Sequence, residues 1–235
     1  MFITILVQPI YNCFIFILSI VPGGDIGVSI IILTLLVRLV FYPVFASSIR
    51  TQMAMQAVQP EIAEINEHYK DDAMERSRRT AELFKKHRIR PLMFAAASIV
   101  QIAFFIGLSY AFFRLGLPKI RTDLLYPFVH APAVVNQHFL GFFDLAATHH
   151  IILTVIVVVL QFFVIKLSLS RTSVAANATP QQKSAQQMQK QMMLYLFPAV
   201  MAFVAYSFPG AVGIYLAATN GVSLLQEWYI RRKPL

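Results

Sequence analysis

The stretch "LTLLVRLVFYP", residues 33–43, sets Arg38 among apolar neighbours, and no other charge occurs from Gly27 to Ile49. An arginine at mid-bilayer costs about 2.5–3.5 kcal/mol on insertion scales, and its guanidinium cannot shed a proton to escape that cost. It must meet water, a polar partner or an acid. The apolar runs of the chain, the last ending at Gln226, contain no Asp or Glu. An ion pair within the membrane is therefore not expected. A hydrated cavity, backbone carbonyls or a carboxylate brought by another molecule remain. Four more polar side chains lie inside apolar runs: Thr34, one helical turn before Arg38, Gln101, Gln161 and Asn220. A single such group commonly serves as glue between helices. Together with Arg38 they point to a wet cavity between helices, on the cytoplasmic side if its water enters from there. Nothing points to catalysis. His149 and His150 are adjacent and so do not share a helix face, and no third ligand completes a metal site with them. There is no H-E-x-x-H, no G-x-S-x-G and no glycine-rich phosphate loop. No catalytic residue, metal or cofactor is expected.

The elements that hold these residues follow from composition. Of 235 residues, 57% are hydrophobic and 13% charged, with 20 phenylalanines and a mean hydropathy of +0.64. A soluble domain carries about 25% charged residues. Five runs approach the roughly 20 apolar residues that cross a bilayer, predicting spans at about 27–46, 92–113, 147–166, 191–208 and 210–228. Residues 191–226 carry no charge, and as one helix they would measure about 54 Å. Pro209-Gly210 is the natural turn between two helices. Residues 2–21 are apolar but interrupted by Gln8, Pro9 and Asn12, and "PGGD" at 22–25 leaves little room to turn. Residues 1–24 are therefore expected to form an N-terminal interfacial helix on the outer side, with a sixth span as the alternative. Residues 25–235 form the core.

The net charge is +9, and its distribution is uneven. Nine Lys/Arg fall between Ser47 and Pro91 and four between Lys166 and Lys190, and Arg231, Arg232 and Lys233 close the chain. Only Arg114, Lys119 and Arg121 lie in 114–149, and none in 1–26. By the positive-inside rule the basic segments are cytoplasmic, and the N-terminus and 114–149 are outside. Topology accounts for the charge without nucleic acid. Residues 47–90 mix both signs, with Ile62, Ile65 and Tyr69 at helical spacing, and "KDD" at 70–72 interrupts them. This predicts a cytoplasmic helical hairpin whose second arm is capped by Asp72, with too few apolar positions to clamp it to the membrane. Residues 170–190 read as a flexible inner loop. The lone Cys13 excludes an intramolecular disulfide, and residues 1–21 lack the basic n-region of a cleaved signal peptide.

Long stretches resemble a known family. "GVSIIILTLLVRLVFYP", "MAMQAVQPEIAEINEHYKDD", "ELFKKHRIRPL" and "MMLYLFPAVMAFVAYSFPGAVGIYLAATNGVSLLQEWYI" are similar, in order and over essentially the whole chain, to the YidC/Oxa/Alb membrane protein insertases. The resemblance implies an all-α integral membrane protein with five transmembrane helices around a hydrophilic groove, an N-terminal interfacial helix and a cytoplasmic helical hairpin. It matches Arg38 to the family's groove arginine, Gln101 to its second-span glutamine, and Asn220, Gln226 and Trp228 to its final Asn and Gln-x-Trp. It implies a non-enzymatic insertase and chaperone, free of cofactors, in the inner (plasma) membrane of a bacterium. The implied partners are nascent membrane proteins, the ribosome, the signal recognition particle receptor, the Sec translocon and membrane lipids, with no direct nucleic-acid recognition. "RPLMFAAASIVQ" replaces the family's Gly-Gly-Cys-x-Pro-like entry to the second span. The family's large outer domain and long basic tail have no counterpart in the sequence, as expected of a compact bacterial member. A small-solute or anion transporter or channel using Arg38, and a scaffold within a translocon, are the alternatives, although the inverted repeats of many transporters are not evident.

Overall fold

The computed structural model describes residues 7–115, 119–169 and 180–232. The first helix, α1 (Gln8–Ile20), carries Pro9 in its first turn, where no N–H is needed. Its 13 residues make it about 20 Å long, short of the roughly 30 Å of hydrocarbon in a bilayer. Tyr11, Phe14, Ile15 and Leu18 are buried on its inner face, which packs on two later helices, Ile26–Val40 (α2) and Pro91–Phe113 (α6). The amides that interrupt its apolar run have partners. Asn12 donates to the Leu124 carbonyl at 2.9 Å and accepts from the Tyr126 N–H at 2.6 Å. Gln8 donates to the same carbonyl at 3.0 Å, and the Tyr11 hydroxyl accepts from the Arg121 N–H at 2.9 Å. These groups hold the loop after α6 against α1.

A turn at Gly23 and Gly24, both at positive φ, leads to α2 (Ile26–Val40). A Cβ on Gly24 would run into the Val134 carbonyl. Asp25 caps α2 by accepting from the Val28 N–H at 3.0 Å, while its second oxygen accepts from the Leu140 N–H at 3.0 Å. Asn136 donates its N–H to the Gly24 carbonyl and accepts from the Ile26 N–H. The start of α2 is thus strapped to the α6–α7 loop. That loop contains the one departure from an all-helical fold among the described residues, a two-stranded antiparallel hairpin of β1 (His138–Phe139) and β2 (Phe143–Asp144). His138 stands opposite Asp144, and Phe139 opposite Phe143.

The run expected to be one helix over 27–46 is broken. α2 ends at Val40, α3 (Tyr42–Ala57) begins at once, and the two are bent by 72°. Pro43 sits in the first turn of α3; lacking an N–H and clashing with the turn before it, proline cannot continue α2. α4 (Gln59–His68) and α5 (Ala73–Lys86) form the charged hairpin. Asp72 caps α5 as predicted, accepting from the N–H groups of Met74 and Glu75 at 3.1 and 3.0 Å. A small apolar cluster of Val58, Leu83 and Ile89 holds the base of the hairpin together.

α6 (Pro91–Phe113) and α7 (Ile151–Leu169) follow. α8 (Pro180–Gln191) runs through a π-helical turn at Met192–Leu196 into α9 (Phe197–Ser207). The Gln-rich segment read as a flexible loop is therefore helical from Pro180 onward, consistent with the helix propensity of Gln and Lys; residues 170–179 of that reading lie outside the described residues. The chain turns at Phe208 and enters α10 (Gly210–Arg232), where the sequence places the turn. Gly210 is required there: a Cβ would lie 2.9 Å from Cδ2 of His150 and 3.3 Å from the Asp144 carbonyl.

Among the described residues, two helices are long and apolar enough to cross a membrane, Pro91–Phe112 and Ile151–Leu169, and the bent α2–α3 pair makes a third if counted as one span. α10 has the length, but Thr219, Asn220, Ser223, Gln226 and Glu227 lower its hydropathy. Ile26, Ile30 and Leu33 of α2, Phe104 and Leu108 of α6, and Ala211, Ile214 and Tyr215 of α10 share the main core with α1.

Candidate functional site

Arg38 lies half a turn before the end of α2 and is 8% exposed. Its Nη1 donates to Gln226 Oε1 at 3.2 Å; its Nη2 donates to Gln101 Oε1 at 3.2 Å and to Ser223 Oγ at 2.8 Å. The bend into α3 brings the Phe45 ring under the guanidinium, with 4.2 Å between Cζ and the ring centre, within cation–π range. Gln101 Nε2 donates to the Tyr215 hydroxyl, which turns the amide oxygen toward Arg38. Ser223 donates its own proton to the Thr219 carbonyl at 2.8 Å and so offers Arg38 a lone pair. Helices α2, α3, α6 and α10 thus converge on one cation whose partners are all neutral.

Of the residues singled out in the sequence, Arg38, Gln101 and Gln226 are bonded together. Thr34 lines the same crevice but donates to the Ile30 carbonyl of its own helix at 2.7 Å. Asn220 is buried elsewhere, donating to the Val157 carbonyl at 3.4 Å across the α7–α10 seam. Gln161, one turn beyond Val157, is half-buried on α7. Trp228 is 48% exposed, and the Arg232 guanidinium stacks 3.5 Å from its ring centre. Sequence reasoning missed Ser223, Tyr215 and Phe45. A signal existed for two of them: Tyr215, Thr219, Ser223 and Gln226 recur every three or four residues along one face of α10.

The polar side chains nearly fill the space between the helices. The crevice bounded by Arg38, Thr34, Phe45, Gln101 and Tyr215 has about 10 Å³ of free volume, about enough for one water. Beside it lies an apolar slot of about 340 Å³ between α1, α2 and α6, and Val37, Val100 and Phe104 form walls of both.

The inventory of acids needs one correction. α10 continues past Gln226 to Arg232, so Glu227 belongs to the helix and is buried, 6% exposed. It pairs with Arg231, whose Nη2 lies 2.7 Å from its Oε1 and also donates to the Ser168 carbonyl of α7 at 3.1 Å. Arg38 itself has no carboxylate among the described residues. Both adjacent histidines have local partners: His150 Nε2 donates to the Asp144 carbonyl at 2.6 Å, and His149 Nδ1 lies 2.6 Å from the Thr148 hydroxyl. No group of three or more metal-ligating side chains occurs among the described residues.

Residues 17–234 match the model of the family described as 60Kd inner membrane protein. The chain belongs to this family. It is 30% identical over 209 residues to a protein of Francisella philomiragia subsp. philomiragia named membrane protein insertase YidC, a match covering 89% of this chain and 33% of that protein. Proteins of the same name from Francisella tularensis subsp. novicida and subsp. tularensis are 31% identical over 209 residues. The chain spans about one third of the length of the curated relatives it matches. Membership of the 60Kd inner membrane protein family, with long apolar helices, makes this a helical integral membrane protein. The matched region of the 60Kd family takes in Arg38 and every hydrogen-bond partner described for it.

Proposed function

We propose that the chain is a membrane protein insertase of a bacterial inner membrane, and that Arg38 receives the polar, often acidic, segment that precedes an incoming apolar helix. One observation carries this reading: a buried arginine, held only by neutral acceptors, shares three walls with an apolar slot. A carboxylate adds an opposite charge that the neutral acceptors lack and can take two guanidinium N–H groups at once, so it can displace Gln226, Gln101 or Ser223 and be displaced in turn. The apolar helix meanwhile passes along the lipid-facing side, and its burial supplies about 0.8 kcal/mol per CH₂. The groove forms as the crevice opens.

The frame that supports this has five spans, made of α2, α6, α7, α9 with the π-helical turn before it, and α10. α1 lies in the outer interface with the N-terminus outside, and the α4–α5 hairpin stands in the cytoplasm. The hairpin receives the nascent chain, with the ribosome, the signal recognition particle receptor and the Sec translocon as partners. Thr34 belongs to the groove wall. Gln161, Asn220 and Trp228 act on it through the α7–α10 seam and the cytoplasmic end of α10.

Photocrosslinking from position 38 to a stalled nascent membrane protein tests the reading. The expected adducts map to the segment just before the apolar helix. No adduct, together with anion flux through vesicles holding the purified chain, would replace the insertase with a transporter.

A further inference from the structure

From the last turn of α5 to the start of α6 runs the sequence Lys85-Lys86-His87-Arg88-Ile89-Arg90. Lys85, Lys86, Arg88 and Arg90 are all exposed, and none has a carboxylate partner among the described residues. This contrasts with the arm above. There Arg78 and Arg79 are neutralised by Glu75 and Glu82 at 2.8–3.6 Å; within the run itself only His87 lies near an acid, 3.8 Å from Glu61. The four unpaired cations are not on a loose loop. The Ile89 N–H donates to the Phe84 carbonyl at 2.8 Å and the Arg88 N–H to the Lys85 carbonyl at 3.2 Å, closing the end of α5. Arg88 occupies the left-handed position of that closure at φ 53, where glycine is the usual residue. Ile89 is buried against Val58 and Leu83, and the Thr51 hydroxyl reaches the Arg90 carbonyl at 3.5 Å.

The next residue, Pro91, opens a 22-residue membrane-crossing helix. Leu92 is 80% exposed and Phe94 48%. Fixed, unpaired cations are thus followed within one helical turn by exposed apolar side chains. That order matches a bilayer surface, with anionic headgroups above acyl chains, and a polybasic cluster beside a span is the usual form of such recognition. RNA would meet the cations but offers nothing for Leu92 and Phe94. We infer that the turn from Lys85 to Arg90 binds anionic phospholipid headgroups and fastens the base of the hairpin to the membrane surface. The sequence alone suggested no such clamp. The inference rests on α6 being a span and is independent of the role proposed for Arg38.

The test uses the full chain in nanodiscs of equimolar phosphatidylglycerol and phosphatidylcholine with matched acyl chains. Retained lipids are counted by native mass spectrometry after mild detergent exchange. Phosphatidylglycerol should be enriched on the unaltered chain and fall toward parity in K85Q/K86Q/R88Q/R90Q, since each cation at an anionic surface is worth about fivefold in affinity. K85Q/K86Q, which leaves the Arg88 turn untouched, should lose part of the enrichment, and R78Q/R79Q, which removes paired arginines, should keep it. Enrichment that survives in both K85Q/K86Q and the fourfold variant overturns the inference. So does equal loss in R78Q/R79Q, or no enrichment at all. Loss of the enrichment to excess inorganic phosphate would show a free-anion site instead of a lipid site. Ribosome binding lost in the fourfold variant while lipid retention stays unchanged would assign the turn to RNA.

Discussion

Replacing Glu227 with alanine removes the Glu227 carboxylate from beside the buried Arg231 guanidinium. The Arg231 side chain is 8% exposed, and its Nε and Nη2 lie 3.1 and 2.7 Å from the same Glu227 oxygen. Removing one member of a buried pair typically costs about 3–5 kcal/mol, because the other charge is stranded. Arg231 keeps the Ser168 carbonyl, which places Glu227→Ala at the low end, about 3 kcal/mol. Glu227→Gln keeps an oxygen in place, so a hydrogen bond with one charged partner, worth about 1.5–3 kcal/mol, remains while the opposite charge is lost. Its loss should be about 1 kcal/mol. Replacing both residues, as Glu227→Leu with Arg231→Met, leaves no charge behind, although the Ser168 carbonyl loses its Arg231 donor, and such exchanges are often neutral or stabilising. The expected order of stability is the double variant near the unaltered chain, then Gln, then Ala. Equilibrium unfolding in mixed micelles with rising dodecyl sulfate, followed by far-ultraviolet ellipticity, measures it. If the Ala and Gln variants are equally stable, or the double variant is as damaged as Ala alone, the pair does not act as a buried salt bridge.

Arg38→Ala should impair insertion of substrates with acidic outer segments more than neutral ones, and Arg38→Lys should retain part of the activity, since a point cation remains while the fork of donors is lost; protease protection of inserted substrates reads both, and equal loss for the two substrate classes would leave Arg38 a structural role. A cysteine placed at Asp72 in a chain lacking Cys13 should resist impermeant thiol reagents added outside sealed cells, and strong labelling would reverse the orientation. Asn12→Leu removes two bonds to the α6–α7 loop, so amide exchange at 121–126 should quicken while α6 stays protected; unchanged exchange would mean those bonds carry nothing. The Arg121 guanidinium, donating at 2.8 Å to both Asp123 oxygens, holds that carboxyl below its ordinary value. The stabilisation is therefore present above the usual carboxylate pKa of about 4 and is lost as pH falls through the depressed value, and amide exchange at 121–125, corrected for intrinsic rate, should rise only in acid.

What could be read in the sequence was what depends on residue type alone. Arg38 announces itself because a permanent cation in an apolar run has few explanations, and Gln101 stands out by the same logic, whereas Gln226 was reached only through the family resemblance. The turn at Pro209-Gly210 was legible because one uncharged helix would have been too long. Asp72 was legible because capping needs only a local carboxylate. Ser223 and Tyr215 were not, because a serine is common in any helix and a tyrosine counts as apolar until its hydroxyl is seen to hold Gln101. The bend at Phe41 was hidden for a related reason: hydropathy continues smoothly through Pro43, while the backbone hydrogen-bond ladder does not. Asn12 and Gln8 were read as defects in an apolar run because the carbonyl they serve, that of Leu124, is more than a hundred residues away.

The strapping of the α6–α7 loop has a mechanical meaning. At that end α2 is joined through main-chain bonds from Asn136 to Gly24 and Ile26, and α10 through Gly210 and Ala211 to Ala147 and Leu145. At the other end the same helices meet Arg38 through side chains alone. One end is a fulcrum and the other is a free tip. Over the roughly 18 Å of helix from Ile26 to Arg38, a rotation of about 10° at the fulcrum displaces the tip by about 3 Å. That stroke is about the width of a carboxylate, so a crevice with room for one water can admit an acid while the strapped end stays shut.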